Sequence, residues 1–133
     1  MKRPRPAPSP TTEAFWAATA EHRFLLQRCA ACSAAQFYPK ATCTTCGSSE
    51  LAWEAASGRG TLHTFTVARR ATHPAFDGIG PYVVAIVELA EGPRVTSNLV
   101  ECDLDDVRIG MSVELCWDDP DADGISLPLW RPA

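Results

Sequence analysis

The chain has 133 residues, 46% hydrophobic and 21% charged, which is one ordinary globular domain or one domain with an appendage and excludes a disordered or collagen-like polymer. No apolar run approaches the ~18 residues of a membrane span, and no apolar stretch follows Lys2, Arg3 and Arg5 as a signal peptide requires, so a cytoplasmic protein without a membrane segment is expected. The net charge of −4 is uneven: residues 1–100 hold ten Lys/Arg against seven Asp/Glu, residues 101–133 two against nine, which disfavours nucleic acid over the last third.

In chain order, residues 1–10 alternate Pro with basic and small residues and read as a flexible arm. Ser9-Pro10 resembles a helix start, with Thr11 and Thr12 as other caps, and helix formers continue to Gln27. Phe15, Ala18, His22 and Leu25 recur at helical spacing, predicting one helix over 11–27. Its Phe15-Trp16 pair is either core or a docking face.

Residues 28–56 carry the informative motif: Cys29-x-x-Cys32, ten residues, then Cys43-x-x-Cys46. Each tight turn presents two sulfurs to one ion, and two turns close a tetrahedral shell, the donor set of structural zinc. Paired disulfides need an oxidising compartment, iron fits the same four thiolates, and a redox Cys-x-x-Cys belongs in a βαβ context that is missing. Four protein ligands leave no open position for substrate, so the expected Zn2+ is structural. Residues 35–38 and 51–54 read as short strands hanging from the turns, and Gly47 supplies permissive backbone after Cys46.

From Gly58-Arg59-Gly60 onward the pattern is β. Alternation or apolar runs place strands near 61–67, 82–89, 94–100, 111–117 and 125–129, with a loop over 69–81. Five short strands in a small domain dispose of their edges by closing, so residues 57–133 are expected to form a five-stranded OB-type barrel. The fold class is mainly β: N-terminal helix, rubredoxin-like zinc ribbon, OB-fold barrel. Cys102 and Cys116 lie within apolar patterns and read as core thiols. Asp118, Asp119, Asp121 and Asp123 hint at a calcium loop, but its closing Glu is missing, so a solvated turn is preferred.

Reaction machinery is not visible. His22, His63 and His73 are scattered, and no Gly-x-Ser-x-Gly or phosphate-loop pattern occurs. Arg59, Arg69 and Arg70 flank the first barrel strand, and Phe76 and Tyr82 could line a slot beside them, a combination suited to a phosphate-bearing ligand. Phe65, Phe76 and Tyr82 near Arg69-Arg70 also permit the alternative of a single-stranded nucleic-acid-binding OB module.

An ordered series carries a resemblance. It runs Phe15-Trp16; Leu26-Gln27-Arg28-Cys29-Ala30-Ala31-Cys32; Gln36-Phe37-Tyr38-Pro39; Cys43-Thr44-Thr45-Cys46-Gly47; and Gly58-Arg59-Gly60-Thr61-Leu62. It continues with Phe65-Thr66-Val67, Pro81-Tyr82-Val83-Val84-Ala85, Val87-Glu88-Leu89, Glu91-Gly92 and Ile109-Gly110-Met111. In these the chain resembles the zinc-ribbon plus OB-fold family known as domain of unknown function thirty-five, acyl-CoA-associated accessory proteins. Where the family usually has Gly after the second Cys, this chain has Ser33, which implies a differently shaped or strained turn. The resemblance implies a non-catalytic subunit in a hetero-oligomer with a thiolase-like or lipid-transfer-type acyl-CoA enzyme. There the barrel helps hold the acyl-CoA, with Arg59, Arg69, Arg70, Phe76 and Tyr82 as the residues expected to bind it, and Phe15, Trp16, Phe37 and Trp130 are the expected face for the partner, which supplies catalysis. The implied reactions are thiolytic or retro-aldol cleavage, including steroid side-chain degradation, and related hydration.

Overall fold

The computed structural model describes residues 5–70, 80–119 and 124–133. Helix α1 spans Glu13–Thr19, shorter than the expected 11–27. A turn precedes it, with the amides of Thr12 and Glu13 donating to the Ser9 carbonyl at 3.0 and 2.8 Å. Its end is set by His22 in the left-handed region, φ 56°, while Arg23 N–H returns to the Ala18 carbonyl. A seven-residue helix does not sustain itself in water, so burial of Phe15, Ala18 and Thr19 holds it.

The chain then reverses into β1, Leu25–Cys29, where the helical pattern had been expected to continue. Leu25 and Leu26 are good helix formers, but pairing on both sides overrides propensity: β1 lies between β2, Ala35–Gln36, and β3, Leu51–Ala55, both antiparallel. This three-stranded sheet is the ribbon.

Five strands follow: β4, Arg59–Ala68; β5, Tyr82–Leu89; β6, Arg94–Leu99; β7, Ser112–Asp118; and β8, Leu127–Pro132. They close into a barrel in the order β4-β5-β6-β8-β7, with β7 returning to β4. The first three form a meander, and β8 enters parallel to β6 and antiparallel to β7, which is OB topology. Along β5, Val83, Ala85, Val87 and Leu89 are buried and the alternate residues largely half-buried, as a closed barrel under a second layer demands.

Gly60 permits closure. A Cβ there would stand 2.7 Å from Val87 Cγ1 and 2.8 Å from the Glu88 carbonyl oxygen. Gly58, at φ 83°, turns the chain from ribbon to barrel, its carbonyl accepting from Leu115 N–H at 2.8 Å. One core unites the parts: Phe15, Phe24 and Leu26 pack with the barrel interior and with Trp130. No helix of the described residues is long and apolar enough to cross a membrane.

Candidate metal centre and interaction clefts

The four ribbon cysteines sit on two matching turns. Ser33 N–H donates to the Cys29 carbonyl and Gly47 N–H to the Cys43 carbonyl, both at 2.9 Å. Cys29 and Cys43 N–H groups in turn donate to the Ala34 and Ser48 carbonyls. Each turn places a left-handed residue after its second cysteine: Ser33 at φ 64° and Gly47 at φ 81°. The departure read at Ser33 thus falls where a side chain is least welcome.

All four sulfurs lie within 4.8 Å of one another, and the pairs Cys29–Cys46 and Cys32–Cys43 are 3.6 Å apart. A tetrahedron with Zn–S bonds of ~2.3 Å needs sulfurs about 3.8 Å apart, whereas a disulfide needs about 2.05 Å. The site therefore fits a tetrahedral metal. Cys29 and Cys43 are buried, Cys32 and Cys46 exposed. Backbone N–H groups of Cys46 and Thr45 hold the Cys43 thiol down at about 6, and that of Cys32 lowers Cys29. At Cys32 the Ala34 N–H pulls down, but burial and neighbouring sulfurs prevail and push the thiol up to about 12. Cys46 is also raised, despite a favourable Ser48 N–H, by Cys29, burial and Cys43. Four thiolates this close repel, and a divalent cation is what lets all four ionise.

Two buried glutamines brace the centre. Gln36 Nε2 donates to Gln27 Oε1 at 2.8 Å; Gln27 reaches Lys40 through both its N–H and carbonyl, and Gln36 Oε1 accepts from Thr44 N–H at 2.9 Å. Sequence reasoning quoted both residues without a role. Nothing local in the sequence marks them as buried, since Gln27 precedes Arg28 in β1 and Gln36 ends the two-residue β2.

The expected partner residues do converge, although not as an exposed face. Phe15, Trp16, Phe37 and Trp130 all line one apolar cleft of about 150 Å³, with Phe24, Tyr38, Pro39 and β6 completing it. Phe15 and Trp130 are only 3% and 1% exposed, so they are its floor; their rings are needed by the core. Phe37 stands 5.2 Å from Phe15 and 4.9 Å from Phe24. The exposed member is Tyr38, which sequence reasoning passed over as a docking residue; it is 50% exposed, and its hydroxyl accepts from Thr96 N–H at 3.2 Å.

The expected CoA residues separate. Arg59 opens β4 beside β7, while Arg69 and Arg70 follow the other end of that ten-residue strand. Tyr82, half-buried, pairs with Ala68 at the far end. Phe76 and His73 lie outside the described residues, as do Asp121 and Asp123 of the acidic turn. Arg59 and the Arg69-Arg70 pair thus stand toward opposite ends of β4, whose register shifts between Leu62 and Thr64. Cys102 and Cys116 are half-buried, not core. Burial, then Asp106 and Asp103, push the Cys102 thiol up.

A second, polar cleft of about 450 Å³ lies where ribbon meets barrel, lined by Arg59 with His22, Arg23, Ser57, Glu114 and Trp117 among others. His22 Nε2 is 2.6 Å from Asp119 Oδ1, and its ring stacks on Trp117 with centroids 5.1 Å apart and planes 6° apart. These partners are some 97 residues apart in sequence, so no local pattern announced them.

The ChsH2 rubredoxin-like zinc ribbon domain matches residues 16–52, and the ChsH2 C-terminal OB-fold domain matches 53–118. The structure also aligns with a chain of the Ltp2-ChsH2(DUF35) aldolase at TM-score 0.85 and 40% identity, covering 96% of this chain and 98% of that one. This chain belongs to the ChsH2 (DUF35) family. The chain is 43% identical over 132 residues, 98% of its length, to a probable enoyl-CoA hydratase alpha subunit of Thermomonospora curvata. It is 52% identical over 59 residues, 44% of its length, to a DUF35 domain-containing scaffold protein of Methanothermobacter thermautotrophicus. It spans 40% and 44% of the lengths of these two curated relatives.

Proposed function

We propose that this DUF35 chain is a non-catalytic accessory subunit that docks a thiolase-like acyl-CoA enzyme, either a thiolase or a retro-aldolase, and helps hold its acyl-CoA. The observation that carries the reading is likeness over essentially the whole length of the DUF35 chain in an aldolase. The scaffold and hydratase-subunit names of its relatives support the same role, and the steroid context is the finest part of the proposal.

Cys29, Cys32, Cys43 and Cys46 would hold one Zn2+, which cross-links the two turns and leaves no site for a reactant. The ribbon thereby presents Phe37 and Tyr38 at the rim of the aromatic cleft. A cleft of this size accepts one apolar side chain of the partner, with Trp16 and Tyr38 as its accessible walls. The barrel end carrying Arg69, Arg70 and Tyr82 is assigned to the CoA ester, with Phe76 between them in sequence.

The test is co-expression with a thiolase-like acyl-CoA enzyme from the same genome, followed by size-exclusion chromatography with light scattering. The expected result is a stable hetero-oligomer that cleaves acyl-CoA, with Tyr38→Ser or Trp16→Ala releasing this chain. Cleavage by the isolated chain, or a partner that is fully active and stable without it, overturns the proposal.

A further inference from the structure

The floor of the aromatic cleft carries one unmet demand. Trp130 is 1% exposed, and its indole Nε1–H, which can only donate, has no hydrogen-bond partner among the described residues. A buried indole N–H usually finds an acceptor, because leaving one unpaired costs its full desolvation. The strands offer no remedy: the Trp130 carbonyl already accepts from Val100 N–H at 2.7 Å, and its register partners Leu99 and Leu115 bring apolar side chains. The buried cluster that Trp130 joins is likewise apolar throughout, so the core holds no side-chain acceptor for the ring.

The cleft is the open side of this residue. Its lining holds no Asp, Glu, Lys, Arg or His. Its polar groups are engaged with one another: the Tyr38 hydroxyl accepts from Thr96 N–H at 3.2 Å, and Ser97 Oγ donates to the Pro128 carbonyl at 2.8 Å. Neither serves the indole. An acceptor must therefore come with whatever fills the cleft.

We infer that the partner residue entering this cleft is an uncharged side chain with an oxygen acceptor at its tip, as in Gln or Tyr, and that this oxygen takes the Trp130 Nε1–H. An apolar shaft suits the aromatic walls, and the tip meets the one orphan donor. A carboxylate would accept too, but it would be buried with no cation in the lining to balance it. Leu or Phe would leave the donor unpaired, and Ser or Thr has too little apolar shaft for a cleft of about 150 Å³. Trp130 thereby selects among equally apolar partners, since a wrong tip forfeits a hydrogen bond that the right one makes. The inference rests on the subunit reading and adds to it the chemistry of the residue that docks.

Nuclear magnetic resonance of the zinc-loaded full chain, isotope-labelled at the indole nitrogens of its four tryptophans, tests it. Trp16→Phe, Trp53→Phe and Trp117→Phe assign the Trp130 signal by elimination in the isolated chain. On titration with an unlabelled thiolase-like acyl-CoA enzyme from the same genome, the Trp130 indole proton moves downfield, as a gained hydrogen bond requires. Butyramide or p-cresol, standing for the Gln and Tyr tips, moves it the same way in the isolated chain, and the one that does so names the tip; butyrate does not. Trp130→Phe, its fold checked by zinc content, weakens the complex about tenfold. An intact complex with an unmoved Trp130 signal overturns the inference and leaves the subunit reading standing, whereas absence of any complex overturns both. A larger shift with butyrate than with butyramide, or the same shift with acyl-CoA alone, also overturns it.

Discussion

Gln27 and Gln36, each 6% exposed, are joined by an Nε2–Oε1 hydrogen bond of 2.8 Å across β1 and β2. Through Lys40, Thr42 and Thr44 they fasten the chain between the two cysteine turns to the ribbon sheet. The metal-binding turns are therefore held by side-chain amides as well as by their own backbone bonds.

Replacing Gln36 by Met is expected to cost about 2–4 kcal/mol, because Thr44 N–H and Gln27 Oε1 are left buried without that partner. Guanidinium unfolding of the zinc-loaded chain measures it, and zinc transfer to a chromophoric chelator should be faster. A loss below about 0.5 kcal/mol, within ordinary surface scatter, refutes the bracing role.

Metal analysis should find about one zinc per chain, falling to none in Cys43→Ser. With zinc bound, all four cysteines are thiolates, so their folded-state affinity for protons lies below that of the free thiols. Such groups stabilise the fold at neutral and higher pH, and that contribution is lost as pH falls and protons displace the ion. Chelator competition at several pH values checks the sign: release must become easier toward acid. Release that becomes easier toward alkaline pH contradicts the thiolate assignment.

The two turns offer an internal comparison. Ser33 carries a side chain at φ 64°, where Gly47 occupies the matching place at φ 81° with open space around it. Left-handed backbone costs an L-residue about 1–2 kcal/mol, of which Gly's extra flexibility takes back about half. Ser33→Gly should stabilise and Gly47→Ser destabilise, each by about 0.5–1 kcal/mol in urea melts. Two neutral results reject the account.

Gly60→Ala is expected to destabilise by about 1–3 kcal/mol, because the new methyl meets the Glu88 carbonyl and Val87 where β4 and β5 pair. Gly92→Ala, with nothing within 4 Å, loses only its permissive φ of 112°. If thermal melts show Gly60→Ala as the milder change, the close approach does not constrain the barrel.

Much of the fold was legible because its signals are local. The cysteine spacing marked the ribbon, and alternation marked the barrel strands to within a few residues. Misreading began after Thr19: helix-forming residues at helical spacing continued, but His22 turned the chain, and only the neighbouring strands, which lie apart in sequence, made 25–29 extended. The same gap in range explains the sites. Arg59 and Arg69 look adjacent in the sequence pattern, yet a strand stretches between them, whereas His22 and Asp119 look unrelated and touch. Phe15 and Trp130 looked like docking residues because hydrophobicity alone does not say which side of a cleft a ring takes.

By itself, then, the sequence determined a four-thiolate centre on two turns and an OB barrel behind it. Both follow from residues a few positions apart, whose spacing is dictated by covalent geometry and backbone sterics. Only the tertiary structure decided which rings became floor and which rim, and that His22 and Asp119 meet. Those outcomes depend on close packing between distant segments, where burial and pairing outweigh any local preference.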